Sequence, residues 1–416
     1  MIGAANLVAV RDQRRRHDWV LMGSAVLLMF IGLMAIHSHD VAFAAARLAD
    51  PTAKHKLTLS DRLGGEAVKQ ALFGVLGVIA MVACAYGNVE LWQRLSGPMW
   101  WFNNIALLAT KLVGLEVNGS KRWLAVGGMT IQPSDFTNLF IVLTLATFFV
   151  AHQEEVQSKR TLLRSFLHIL PSVILIALQP HYGGALCLIV AWLCISLFAG
   201  TPAKRLLIVV GSSLVCLVAI LASPPLLRRV FHGYQSERII AKFESILRGR
   251  SDEQAKSSAT TGGRPAKSAA TVAAERKADY QQKQSETAIA MGGVVGEGYL
   301  NGVRKAANYI PEQQSDFVFS IIGEELGFTG SLLTLAAFGL FFYRVWLVIF
   351  RSRDPMAQMV AAGVFGVLGF HTIVNLAMVL NVSFTIGLWL PFMSSGGTAL
   401  ISSLMMVGIL DSFGRN

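Results

Sequence analysis

Ten stretches of almost unbroken apolar sequence, at about 19–36, 71–86, 101–115, 137–151, 166–178, 184–198, 206–222, 317–350, 359–379 and 398–410, constrain this chain more than any motif in it. A bilayer core of about 30 Å takes about 20 residues of helix to cross, and only helices or closed barrels satisfy their backbone there. The expectation is an all-α polytopic membrane protein with about ten transmembrane helices. Several blocks fall short of a full span, so flanking residues must extend them. The composition agrees, with 53% hydrophobic and only 15% charged residues.

The formal net charge is +11, and the cations are unevenly placed. Arg11, Arg14, Arg15 and Arg16, then Lys159, Arg160 and Arg164, then Lys204 and Arg205, then Arg351 and Arg353 fall on one side when ten spans are counted. The positive-inside rule makes that side cytoplasmic and places both termini there. The arginines before residue 19 and the Ala42-Phe43-Ala44 stretch also imitate a cleaved signal, but the apolar run is longer than the roughly 7–15 residues of a signal core. It reads as a retained first helix. Cys84, Cys187, Cys194 and Cys216 lie inside apolar blocks without CxxC pairing and read as small core residues. The histidines lack zinc-site spacing, and no stripe of arginine and aromatic residues suits nucleic acid.

The expected organisation is a cytoplasmic tail (1–18), helices 1–7 (19–223), a large outside loop between helices 7 and 8 (224–316), and helices 8–10 with a short tail (317–416). Within the loop, 251–274 is rich in Ser, Ala, Thr, Gly and Lys and almost free of large apolar residues, as in a disordered insert. Before it, Ile239, Ile240, Phe243 and Ile246 recur at helical spacing over 236–247, which suits a helix along the membrane surface. Four outside loops, at 118–132, 180–182, 224–316 and 381–397, then share one face.

That face carries the candidate chemistry. Asp316 stands where a polar stretch gives way to a long apolar helix. One reading makes it or Ser315 a helix N-cap; the other makes it a partly desolvated base able to take a hydroxyl proton. Glu324 and Glu325 follow inside the span and need partners there, with Lys111, His168, Arg304 and Lys305 as candidates. Lys121, Arg122 and Trp123 combine cations and an aromatic, followed by Gln132 and Ser134 at the start of the next helix. Such a loop suits a diphosphate gripped by Arg beside a lipid or sugar packed on Trp, and equally suits an ordinary interfacial belt. Ser394, in Ser394-Ser395-Gly396-Gly397, either admits a close backbone approach or breaks a helix. His181 reads as a hydrogen-bonded turn residue.

The series Val117-Asn118-Gly119-Ser120-Lys121-Arg122-Trp123, Gln132-Pro133-Ser134, Tyr280-Gln281, Gln284-Ser285, Ala288-Ile289, Ile310-Pro311-Glu312, Ser315-Asp316-Phe317-Val318-Phe319, Gly323-Glu324-Glu325-Leu326-Gly327 and Leu390-Pro391-Phe392 resembles the SEDS family of shape, elongation, division and sporulation proteins, which includes FtsW, RodA and SpoVE. The resemblance covers most of the chain. It implies a ten-helix peptidoglycan glycosyltransferase in the bacterial cytoplasmic (inner) membrane. Such an enzyme polymerises lipid II on the outer face, with undecaprenyl-diphosphate-linked glycan as its other substrate and a class B penicillin-binding transpeptidase as its partner. Asp316 falls on the family's essential acid, and Arg122, with Lys121, would steady the diphosphate. Trp123, Gln132, Ser134, Glu324 and Ser394 join the substrate-binding set. No cofactor is implied with certainty; a divalent cation beside the diphosphate is chemically compatible, although the sequence offers no carboxylate cage.

The sequence departs from the family pattern at Asn138 (usually Lys), Asp135 (usually Glu), His181 (Asp in many members), Gln314 (commonly His), Phe384 (usually Pro) and Ser395 (commonly Tyr). These departures keep two rivals open, a lipid II flippase and a non-catalytic scaffold that activates the transpeptidase. The crowding of distinctive residues on one outside face favours surface chemistry over transport.

Overall fold

The computed structural model describes residues 17–49, 65–117, 120–126, 129–222, 269–302, 313–383 and 385–415. The helices are α1 (Trp19–Ala49), α2 (Gly65–Ala85), α3 (Val89–Val113), α4 (Pro133–Ala151), α5 (Lys159–Ala177), α6 (Tyr182–Phe198), α7 (Ala203–Ala222), α8 (Ala269–Met291), the short α9 (Gln313–Asp316), α10 (Val318–Arg351), α11 (Pro355–Val379) and α12 (Gly397–Gly414). Seven of these, α1, α2, α4, α5, α10, α11 and α12, are long and apolar enough to cross a membrane, and α6 is a shorter apolar helix. The chain is a helical integral membrane protein.

Helix starts follow from capping. Asn88 accepts the Leu91 N–H at 2.9 Å and starts α3 well before the apolar block at 101, while Asp354 accepts the Met356 N–H at 3.0 Å ahead of Pro355 and α11. Helix α3 carries Asn103 and Asn104 within its length, and both are used. Asn103 donates to Ser172 at 3.0 Å and accepts from Thr137 at 2.7 Å, and Ser172 donates to Asn104 at 3.0 Å. That ladder stitches α3 to α4 and α5 and removes the cost of the amides in an apolar bundle.

The chain divides into two compact units, one of residues 202–283, with α7 and most of α8, and a main unit of residues 1–201 and 284–416. In the main unit α4, α11 and α12 bury most of their residues and form the centre, with α12 against α2 and α11 against α6 and α10. One end is pinned by charge. Asp411 accepts from His17 and from the Asp18 N–H, each at 2.7 Å, while Arg344 pairs with Asp18 at 2.6 Å.

Three features depart from the expectation. First, part of the outside loop 118–132 is a three-stranded antiparallel meander: β1 (Leu115–Val117), β2 (Ser120–Val126) and β3 (Met129–Ile131). Val117 pairs with Ser120 and Val126 with Met129, so only Asn118-Gly119 and Gly127-Gly128 separate the strands. Those pairs are two-residue hairpin signals, which the expectation of an all-helical chain passed over.

Second, the end of the presumed insert is helical from Ala269 onward, in a run of alanine and long charged or amide side chains with high helix propensity. Residues 236–247 and 251–268 lie outside the described residues.

Third, the long helix α10 is broken at Gly327, at φ 63 and ψ −159, a conformation essentially confined to glycine. The backbone groups freed there are taken by the glycine-rich stretch after α8. Phe328 and Thr329 donate to Gly293 and Val294 at 2.9 and 3.1 Å, while Glu297 and Gly298 donate to the Glu324 and Glu325 carbonyls at 3.0 Å each.

Candidate functional site

Asp316 closes α9, and Phe317, at φ −121 and ψ 26, separates it from α10. The N-cap position of α10 is Phe317, which makes no side-chain cap, so that position is held by neither Ser315 nor Asp316. The turn is instead held from two other elements. Ser394 Oγ donates to the Ser315 carbonyl at 2.5 Å, the Ser395 N–H to the Gln314 carbonyl at 2.9 Å, and Asn375 Nδ2 to the Asp316 carbonyl at 2.9 Å. The carboxylate is half-buried beside Gly387, whose Cβ position lies 3.5 Å from Asp316 Oδ2.

Arg122 approaches from β2. Its Nε donates to the Gln179 carbonyl at 3.1 Å and an Nη to the Pro180 carbonyl. A guanidinium has five N–H donors, so this anchorage leaves capacity for an anion. Burial lowers its pKa from the ordinary value, and the carboxylate of Asp316 pulls it back up. The sheet and the α9 turn, far apart in sequence, thus bring opposite charges into one half-buried place.

The other sequence candidates distribute unevenly around this pair. Lys121 is exposed and opposite Glu116 in the ladder, Trp123 is opposite Leu115, and the register shifts between them, so that Arg122 is the extra residue of β2 there. Gln132 and Ser134 bond to each other at 3.0 Å at the start of α4. Ser394 is buried and joins the site as a brace of α9.

Glu324 lies about two helical turns into α10, where its carboxyl carbon comes within 2.9 Å of the Cβ position of Gly302. Glu325 accepts from Ser38 at 2.6 Å. Two of the cations expected to serve these acids are engaged elsewhere, Lys111 on the Leu178 carbonyl at 2.6 Å and His168 on Thr144 at 3.1 Å. Arg304 and Lys305 lie outside the described residues.

Several departures from the family pattern fall at the site. Asn138 is buried in α4. Asp135, also buried, accepts from Thr398 at 2.6 Å and from the Trp389 side chain. Ser395 hydrogen-bonds Glu66 at 3.5 Å, and Phe384 lies outside the described residues. His181 is buried at the N-terminus of α6, where its backbone N–H donates to the Ile176 carbonyl at 3.3 Å while its Nδ1 has no hydrogen-bond partner. Burial, with Arg122 and His371 nearby, lowers its pKa from 6.5 to about 3 and keeps the ring neutral.

Sequence reasoning missed Asn375, His371 and Trp389. The signal was present for the first two: an amide and an imidazole four residues apart inside an apolar block share one helix face, and polar groups at such depth are rare without a role. Among the described residues, no three His, Cys, Asp or Glu side chains converge to hold a metal ion.

The sequence pattern of the cell cycle proteins FtsW, RodA and SpoVE matches residues 18–416. Curated relatives include a probable peptidoglycan glycosyltransferase FtsW of Trichlorobacter lovleyi, 28% identical over 401 residues, covering 95% of this chain and 92% of that protein. The peptidoglycan glycosyltransferase RodA of Treponema pallidum is 26% identical, with coverage of 95% and 96%. Among solved structures, a chain from a peptidoglycan synthase complex that coordinates polymerization and crosslinking superposes with a TM-score of 0.70 at 24% identity, covering 96% of this chain and 98% of that one. The Thermus thermophilus rod shape determining protein RodA gives 0.60 at 21% identity, covering 96% and 97%.

Proposed function

Because this chain belongs to the FtsW/RodA/SpoVE family, we propose that it is a peptidoglycan glycosyltransferase that polymerises lipid II, with Arg122 and Asp316 as its reacting centre. The observation that carries the reading is their juxtaposition, a half-buried cation anchored by two carbonyls within electrostatic reach of a half-buried carboxylate. Glycosyl transfer from a lipid diphosphate needs both charges. The acceptor 4-hydroxyl loses a proton as its oxygen attacks the anomeric carbon, and the anomeric carbon–oxygen bond breaks to release a diphosphate. Asp316 takes or orients that proton, and Arg122 meets the charge that grows on the leaving group.

The roles of Lys121, Trp123, Gln132, Ser134 and Glu324 are secondary in this reading. Lys121, which is exposed, and Trp123 serve the lipid or headgroup side, while Gln132, Ser134 and Ser394 hold the walls of the site. Glu324 serves the α8–α10 junction. A resident metal ion finds no carboxylate cluster among the described residues, and Arg122 already occupies the electrostatic place beside Asp316, so no step is assigned to one.

We place the chain in the bacterial inner membrane with ten spans, the sheet and α9 on the outer side and both termini in the cytoplasm, as the positive-inside rule requires. A class B penicillin-binding transpeptidase is the partner, a reading supported by the fold shared with a chain of the peptidoglycan synthase complex. The test is reconstitution of the full chain with and without the transpeptidase, supplied with labelled lipid II. Glycan polymer supports the enzyme, lipid transfer across the bilayer without polymer supports a flippase, and neither supports a scaffold.

A further inference from the structure

The face that α2 buries runs through Gln70, Gly74, Gly77 and Met81, at spacings of three and four residues. Most of that face is small or apolar and lies close against α12. A Cβ on Gly77 would stand 2.6 Å from Leu404 Cδ1, and one on Gly408 would meet the Met81 carbonyl. Gln70 differs from its neighbours. It is 4% exposed, and an amide buried in an apolar helix is costly unless both of its ends are bonded.

Both ends are bonded, and to one short segment of main chain just ahead of α12. Gln70 Nε2 donates to the Ser394 carbonyl at 2.9 Å, and Gln70 Oε1 accepts the Gly396 N–H at 3.1 Å. One turn earlier on α2, Glu66 accepts from Ser395 Oγ at 3.5 Å. The same segment holds α9, since Ser394 Oγ donates to the Ser315 carbonyl at 2.5 Å and the Ser395 N–H to the Gln314 carbonyl at 2.9 Å. Residues 394–396 therefore join α2 to the turn that carries Asp316, the residue after Ser315.

The chemistry of Gln70 suits this link. A carboxamide offers a donor and an acceptor side by side, one for a carbonyl and one for an N–H. A carboxylate would set an acceptor against the Ser394 carbonyl, and an aliphatic chain would leave both peptide groups unbonded. If Gln70 served only the start of α12, an acceptor for the Gly396 N–H would suffice, because Gly396 is the N-cap residue of that helix. The second bond holds Ser394, whose hydroxyl reaches α9.

We propose that Gln70 is a positioning residue for the transfer step: through residues 394–396 it sets the placement of α9, and with it the carboxylate of Asp316 against Arg122. This rests on the glycosyltransferase reading with Asp316 as the acid. Gln70 acts on the reaction through the main chain of its neighbours and not by contact with the reacting atoms. A misplacement of about 1 Å in a group that takes or orients a proton lowers a rate by as much as about a hundredfold.

The test is polymerisation of labelled lipid II by the full chain in proteoliposomes, with wild type, Gln70→Met and Gln70→Glu compared, each also on an Asp316→Asn background. Gln70→Met nearly keeps the volume and loses both bonds; Gln70→Glu keeps the acceptor for Gly396 and loses the donor to Ser394. Each should lower kcat roughly tenfold to hundredfold. KM should stay within about threefold, because the lost placement matters in the transition state and not in binding. The effects of the two positions should not multiply: with the Asp316 carboxylate already gone, Gln70→Met should lower the single-turnover rate by less than about twofold more. Wild-type kcat in a folded Gln70 variant overturns the proposal, and so does a loss carried by KM. An equal loss with and without the Asp316 carboxylate also overturns it, since that is what a brace of α12 alone would give. Should Gln70→Met fail to fold, Gln70→Glu, the same size as the native side chain, decides. No polymer from wild type overturns the glycosyltransferase reading itself, and the role of Gln70 with it.

Discussion

Asn375 donates from one side-chain amide to the main-chain carbonyls of Asp316, at 2.9 Å, and Leu388, at 2.7 Å. The acid's main chain is thereby held by a residue on α11. Asn375→Leu removes both donors and leaves two buried carbonyls unpaired, at roughly 1–3 kcal/mol each. Thermal unfolding in detergent should show the loss of stability, and polymerisation should fall although Asp316 is intact.

Arg122 is held by carbonyls of Gln179 and Pro180, a forked geometry that an ammonium cannot reproduce. Arg122→Lys keeps the charge and loses the fork. We expect roughly a tenfold to hundredfold fall in kcat/KM for lipid II, measured by steady-state polymerisation. Lys121→Ala, at an exposed position on the same strand, should change it far less.

His181 is neutral in the folded protein because burial, first, and then Arg122 and His371 lower its pKa from 6.5 to about 3. Between those values the unfolded chain binds a proton that the folded one does not, so this residue costs stability as pH falls through 6.5 toward 3. The slope for one such group is at most about 1.4 kcal/mol per pH unit. His181→Asn should therefore flatten the fall in melting temperature between about pH 7 and pH 4. Equal acid sensitivity in the two proteins would contradict the assignment.

At Gly327 the left-handed backbone and the neighbouring Gly296 amide and Val294 carbonyl leave no room for a side chain. Gly327→Ala should cost at least about 1–3 kcal/mol in backbone strain. Hydrogen exchange gives the local readout. The amides of Glu297, Gly298, Phe328 and Thr329, which bridge the two segments in the native chain, should lose protection together.

Much of this architecture was legible in the sequence because membrane helices announce themselves by length and hydropathy. Asp316 stood out for a related reason, since a carboxylate at the junction between a polar stretch and a span is either a helix N-terminal acid or a partly desolvated base. Arg122 was found as part of a loop, but its place at a register shift, where it pairs with neither Leu115 nor Glu116, requires knowing that the loop is a sheet. The Asn118-Gly119 and Gly127-Gly128 pairs carried that information.

Other features were hidden for physical reasons. The break at Gly327 is written in no local pattern, because its cost is offset by a glycine-rich segment some 30 residues away. Asn375 and His371 looked like minor interruptions of an apolar block; their meaning depends on which carbonyls and rings the other helices bring to them. At Glu324 the sequence showed a conspicuous acid but not that its main-chain carbonyl accepts from Glu297.

The central claim is that the carboxylate of Asp316, facing Arg122, promotes the attack of a sugar hydroxyl. It is tested most directly by single-turnover polymerisation of labelled lipid II by reconstituted wild type and Asp316→Asn, with substrate binding measured in parallel. The amide keeps the size and removes the base. The account predicts binding within a few-fold of wild type and a rate lower by at least about a hundredfold. A wild-type rate from Asp316→Asn would contradict it.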